Sequence, residues 1–153
     1  MENVDKSMEN RVWQRVKGQK APPDMPLLQR DNLKPWILSA QENTVALRNL
    51  QLQLIGKQWE ALRRLEHENL RLIHLLQGVS ALRGEIVRLT PLTAPKDQPR
   101  RALEKCFHRS RRLWEEMERR CTDPEFGMVF SGAMGRCGDH CTMLAELIGR
   151  LDG

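Results

Sequence analysis

A small group of residues in the last third of the chain has the types and spacing for metal chemistry. Cys137, His140 and Cys141 are three and four residues apart, so a helix would carry them on one side. If the segments around 101–121 and 124–151 pair as antiparallel helices, Ser110 falls level with Cys137 and Cys106 level with Cys141. Thiolates and an imidazole gathered in this way suit zinc or iron in tetrahedral geometry. Glu42 is placed to approach the same layer from an earlier helix. The competing explanation is packing. Cysteine behaves as a small hydrophobe in cores, and His140 would then be a hydrogen-bonded core histidine. The chain has no Cys-x-x-Cys pair, which favours packing. Other chemistries lack their signatures: there is no Gly-rich phosphate loop, no aromatic stacking platform and no Ser-His-Asp constellation. His108 and Ser110 are two residues apart, so on a helix they point to different faces.

The elements that must position these residues follow from apolar periodicity. The stretch from Trp36 to Thr90 contains no proline. Its second half carries the seam Leu62, Leu65, Asn69, Leu72, Leu76, Val79, whose alternating steps of three and four define one stripe of a helix over 57–83. Gly84 suits the end of that helix and Gly56 its beginning. A first helix starts near Pro35, with the stripe Leu38, Glu42, Val45, Asn49, Leu52, although Leu47, Leu50 and Leu54 compete for the inside. Trp59 is expected to pack against the end of this helix.

Residues 85–100 hold several prolines and read as a linker. Extended, they reach about 50 Å, whereas a helix over 57–83 is about 40 Å long. The linker can therefore cross a whole bundle and set the third helix parallel to the second. That third helix covers 101–121, with the stripe Leu103, Cys106, Ser110, Leu113, Met117, Cys121. Asp123 and Pro124 then signal a helix start. The fourth helix runs to Leu151 with Phe130, Ala133, Cys137, His140, Leu144 and Leu147 inside. Gly132, Gly135 and Gly138 lie off this stripe, where they permit close packing or contact with a partner. Residues 1–35, with Val12, Trp13 and Val16 before Pro22, Pro23 and Pro26, read as a partly ordered N-terminal arm whose Leu27 and Leu28 pin it to the body.

A shift of 68 residues superposes the seams: Leu62 on Phe130, Asn69 on Cys137, Leu72 on His140, Leu76 on Leu144, and Glu42 on Ser110. This is a repeat of pattern, two helical hairpins joined by a long crossover, which is one of the four-helix bundle topologies. In these features residues 36–151 resemble the ferritin-like superfamily, of the rubrerythrin-like sort. The resemblance implies an all-α fold with two metal ions in the bundle core. One Glu would come from each of the first and third helices, and a Glu-x-x-His from each of the second and fourth. Carried over by position, Glu42 and His140 match. Asn69, Leu72 and Ser110 stand where ligands are lost, and Cys137 replaces a Glu. Asn and Ser are weak neutral ligands and Leu is none, so a degenerate di-iron site is implied and with it no oxidase, peroxidase or iron-storage activity. The expectation is a non-catalytic bundle without a cofactor, acting as a structural or interaction protein. The alternative is an altered metal site on Glu42, Cys137 and His140 with Cys106 or Cys141. Ferritin-like bundles often dimerise, so the resemblance also points to a homodimer, with no interface specified and any protein partner unknown.

Bulk composition narrows the classes. No run approaches the roughly 18 apolar residues of a membrane span, and the start MENVDKSMEN lacks the plan of a signal peptide, so a cytoplasmic protein away from membranes is expected. Four cysteines in that compartment would be reduced thiols. The net charge of +5 permits acidic partners without requiring them. The third helix has a basic outer face of Lys105, Arg109, Arg111, Arg112, Arg119 and Arg120, which offers nucleic-acid binding as a further alternative. Interleaved Glu104, Glu115, Glu116 and Glu118 argue instead for a self-paired solvated face, with pairs such as Glu115–Arg119 and Glu116–Arg120.

Overall fold

The computed structural model describes residues 32–54 and 56–152. They form four α-helices: α1 Lys34–Leu50, α2 Lys57–Leu82, α3 Pro99–Arg119 and α4 Gly127–Asp152. No strand occurs among the described residues. The N-terminal arm, apart from its last residues, lies outside them.

The helix ends follow local chemistry. Asn32 Oδ1 accepts from the Lys34 amide at 3.0 Å, and Pro35 occupies the first turn of α1. At the end of α2, Gly84 takes φ 94°. The Glu85 amide then reaches the Ser80 carbonyl, and the Gly84 amide reaches that of Ala81, each at 2.9 Å. This paired closure needs a left-handed residue, which glycine adopts without strain. Pro99, expected in the linker, instead opens α3, because a proline costs nothing where the amide has no helical partner. Asp123, expected as the cap of the fourth helix, instead caps the turn that leads into it: its Oδ1 accepts from the Glu125 and Phe126 amides, both at 2.8 Å. Residues 124–126 form a turn, so the helix proper begins three residues after Pro124.

The apolar side chains gather in two clusters. One joins the start of α1 (Leu33, Ile37) to the end of α2 (Leu76, Val79), the end of α3 (Leu113, Met117) and the start of α4 (Phe126, Phe130). The other joins Leu47 and Leu50 of α1 to Leu62 and Leu65 of α2, Leu103 of α3 and Leu144 and Leu147 of α4. Hence α1 and α4 run one way and α2 and α3 the other. The main contacts are α1 with α2, α3 with α4, α1 with α3 and α2 with α4, all antiparallel. The crossover spans the length of the bundle, as its reach allowed, and α3 is parallel to α2. It is tied down on the way by buried Val87 and by Gln77 and Gln41, whose Nε2 groups donate to the Val87 and Thr90 carbonyls at 3.0 and 2.6 Å.

The seams of α2, α3 and α4 are buried as the spacing predicts, except that Cys121, the expected last member of the α3 seam, lies past the helix end and is half-buried. The expected seam of α1 is not buried. Its inner residues are Ile37, Ala40, Asn43, Thr44, Leu47 and Leu50, while Glu42 and Leu52 are exposed. The competing leucines decide the rotation of this helix: facing Leu47 and Leu50 inward buries apolar surface, whereas facing Glu42 inward would desolvate a charge.

Candidate functional site

Between the two apolar clusters lies a buried polar layer to which every helix contributes. Asn43 and Thr44 come from α1, Asn69 from α2, Ser110 from α3 and His140 from α4, none more than 4 % exposed. An isolated polar group in such a place is costly unless it is hydrogen-bonded, and most of this layer satisfies itself. Asn43 Nδ2 donates to Ser110 Oγ at 3.1 Å and to the Cys106 carbonyl at 3.4 Å. Its Oδ1 accepts from Arg109 Nε at 2.6 Å. On the opposite side Asn69 Nδ2 donates to Thr44 Oγ1 at 2.6 Å and to the Ala40 carbonyl at 2.5 Å. The Thr44 hydroxyl itself donates to Ala40 O at 3.2 Å. One amide thus links α1 to α3 and another links α2 to α1.

His140 is the exception. Its Nε2 is buried and has no hydrogen-bond partner. Burial pushes its pKa down, against the upward pull of Glu68 and Asp139, so the ring is held neutral. Glu68 itself is engaged by Arg136 NH1 at 2.8 Å. The thiols are pushed the other way. Burial raises Cys106 to about 11 in spite of Arg109, and raises Cys137 to about 12 with help from Cys141. Cys141, half-buried, is also raised by burial, with Arg111 opposing. Thiolate is the form that binds metal or attacks an electrophile, and this interior disfavours it.

The residues singled out from sequence are therefore distributed as follows. Asn69, Ser110 and His140 meet in the polar layer. Leu72 and Cys137 belong to the apolar cluster on one side of it, and Cys106 to the cluster on the other. Glu42 points outward, with its carboxylate 3.7 Å from Arg109 NH1. The expected gathering of Glu42 with Cys106, Cys137, His140 and Cys141 does not form. Among the described residues no three His, Cys, Asp or Glu side chains come together to hold a metal ion. All four cysteines are free.

Asn43 and Thr44 are the members that the seam of the first helix missed. Thr44 sits in line with Ile37, Ala40 and Leu47, and Asn43 with Ala40, Leu47 and Leu50, so both fall inside once Leu47 and Leu50 are turned inward. The 68-residue shift drew the register to Glu42 instead.

The basic face of α3 is largely self-paired. Arg111 meets Glu115 at 3.8 Å, Arg119 and Arg120 both meet Glu116 at 3.0 and 2.9 Å, and Lys105 meets Asp97 at 3.1 Å. The pair expected between Glu115 and Arg119 is replaced by these. No helix among the described residues is long and apolar enough to cross a membrane.

Comparison with known proteins adds no assignment: no family model, no curated protein and no solved structure matches this chain.

Proposed function

We propose that this protein is a ferritin-like bundle of the rubrerythrin sort that has exchanged a di-metal centre for a neutral hydrogen-bonded layer. It then works as a structural or interaction protein and not as an enzyme. The observation that carries this reading is the layer of Asn43, Thr44, Asn69, Ser110 and His140 between two apolar clusters. Asn69, Ser110 and His140 stand at positions where the resemblance calls for ligands. Two divalent ions there would meet no carboxylate, and their charge would stay uncompensated in a medium of low dielectric. The single long crossover with parallel α2 and α3 fits the same descent.

The partnerless Nε2 of His140 supports a second reading, an altered site for a single soft ion that adds Cys137 or Cys141 of the same helix. The raised thiol pKa values count against it.

Elemental analysis of protein purified without chelators separates the two. The first reading expects no stoichiometric zinc or iron and a melting temperature indifferent to a chelator. Two iron equivalents per chain would overturn it. One zinc or iron equivalent, lost in His140→Ala, would establish the second. A homodimer, expected for a self-associating scaffold, is read from the mass in solution by light scattering.

A further inference from the structure

The exposed arginines of α3 are mostly held by carboxylates, Arg101 and Arg112 excepted, whereas α2 presents three neighbouring ones that are not. Arg63, Arg64 and Arg71 are exposed, and among the described residues none of them pairs with a carboxylate. They border a polar groove of about 450 Å³ along the outer flank of this helix, whose described walls come from α2 alone. Two acidic residues share the groove. Glu68 is already neutralised by Arg136 of α4, which leaves Glu60 to set against three guanidiniums. Trp59 stands at the rim. It was expected to pack against the end of the first helix, but its side chain is 38 % exposed, with the Arg63 guanidinium 5.8 Å from the ring centroid.

We infer that the outer face of α2 binds single-stranded nucleic acid, with Arg64 and Arg71 on backbone phosphates and Trp59 stacking a base. Arg64 and Arg71 are two helical turns apart, about 10 Å along the axis, so they engage separate phosphates of one strand. Arg63 and Trp59 continue the track toward the start of the helix. Cationic side chains following a backbone, with an aromatic ring to receive a base, are the features by which single strands are held without sequence readout. Arginine suits the task because its planar fork matches phosphate oxygens. A membrane surface fits less well, since an interfacial helix needs an exposed apolar face and the apolar face of α2 is turned into the core. The surface is independent of whether the interior holds metal.

The test is fluorescence anisotropy of a labelled oligothymidylate titrated with the full-length protein at several salt concentrations. With Arg63 on a third phosphate beside those of Arg64 and Arg71, three contacts give a slope of log K against log salt of about −2, from roughly −0.7 per contact on single strands. The double variant Arg64→Glu, Arg71→Glu should lose at least about tenfold in affinity and flatten that slope to about −0.7 or less. Trp59→Ala should weaken binding about tenfold with the slope unchanged. The variant Arg111→Glu, Arg119→Glu, whose arginines are held by Glu115 and Glu116 on the α3 face, should bind as wild type. All the substituted residues are exposed or at a rim, and circular dichroism confirms that each variant is folded. Several results would overturn the inference: no binding at low salt, equal affinity in the α2 double variant, or Trp59→Ala binding as wild type. Binding to vesicles of anionic lipid in place of the oligonucleotide would overturn it as well.

Discussion

Arg109 of α3 donates its Nε hydrogen to the side-chain oxygen of Asn43 on α1 at 2.6 Å, while the nitrogen of the same amide serves Ser110 and the Cys106 carbonyl. One buried amide is thus saturated by one neighbouring helix, and its two ends cannot be exchanged. This relationship sets how α1 sits against α3 more specifically than apolar contact does, because a shift of either helix breaks several bonds together. It also occupies Arg109, which the sequence presents as a member of the basic outer face of the third helix.

The first prediction follows from that saturation. Asn43→Ala leaves Ser110 without its donor and removes an acceptor from Arg109, a loss of about 1–3 kcal/mol for stranded buried groups. Ser110→Ala alone costs less, since Asn43 keeps Arg109 and the Cys106 carbonyl. The two substitutions share a bond, so the double variant should be more stable than the sum of the singles implies, with a coupling of about 0.5 kcal/mol or more. Urea unfolding of the four proteins measures this, and strict additivity would mean the bond contributes nothing.

His140 supplies a pH dependence whose sign is fixed. Burial lowers its folded pKa, while in the unfolded chain the ring titrates near its ordinary value of about 6.5. Below that value the unfolded state binds the extra proton and the folded state does not, so stability falls as pH falls. The contribution is complete above about pH 6.5 and declines from there toward the lower folded pKa. Unfolding free energies at about pH 7.5 and pH 5.5 should differ more for wild type than for His140→Gln, which cannot titrate. An equal difference in both would show that the ring charges freely in the folded state. Chelator is included in both measurements, so any adventitious metal has no part in the result.

How much of this interior can be read from the sequence differs between the helices for a physical reason. In α2, α3 and α4 nearly every apolar residue of consequence falls on one stripe, so period and burial coincide: Leu62 to Val79, Leu103 to Met117 and Phe130 to Leu147 are all inside. A polar residue that interrupts such a stripe, Asn69, Ser110 or His140, is then visible as buried. Around the end of α1 the leucines at 47, 50, 52 and 54 are spread about the helix axis as the sequence reads it, and local spacing does not choose among rotations. Only the competition between burying Leu47 and desolvating Glu42 chooses, and it favours Asn43 and Thr44 as the polar members. The level of the layer along the bundle was legible. Its hydrogen-bond partners were not, because they depend on the rotation of α1 against both neighbours. The α2 guanidiniums do not stand out in the sequence for a related reason: α3 has the denser run of arginines, and only the fold shows which arginines carboxylates already hold.

The cysteines should divide into two kinetic classes. Cys106 and Cys137 are fully buried, with thiols pushed to about 11 and about 12, whereas Cys121 and Cys141 are partly exposed. Reaction with an alkylating reagent requires thiolate and access. In native protein at neutral pH, peptide mapping after a limited time should find label on Cys121 and Cys141 first. Label on Cys106 and Cys137 should appear at the rate of unfolding. Early labelling of Cys137 would mean that the apolar cluster around it opens readily, and would remove the ground for treating it as packing.

The glycines of α4 make opposite predictions according to what a methyl group would meet. At Gly127 a Cβ would collide with the Cys121 carbonyl oxygen, a backbone atom that cannot move without displacing the turn capped by Asp123. That same Asp123 holds Arg83 NH2 at 2.7 Å, with both side chains largely buried. Gly127→Ala therefore disturbs the cap and the tie to α2 together, and should destabilise the fold although alanine is the better helix former. At Gly132 and Gly135 the added Cβ meets nothing within 4 Å. Nothing among the described residues calls for glycine there, and each costs about 1 kcal/mol relative to alanine in a helix interior. Gly132→Ala and Gly135→Ala should each raise stability by up to that amount, measured as a higher urea midpoint with an unchanged slope. A neutral Gly127→Ala would show that the turn before α4 yields easily. A loss of stability in Gly132→Ala that deepens with protein concentration would show that this bare face of α4 is covered by a second copy of the chain in solution.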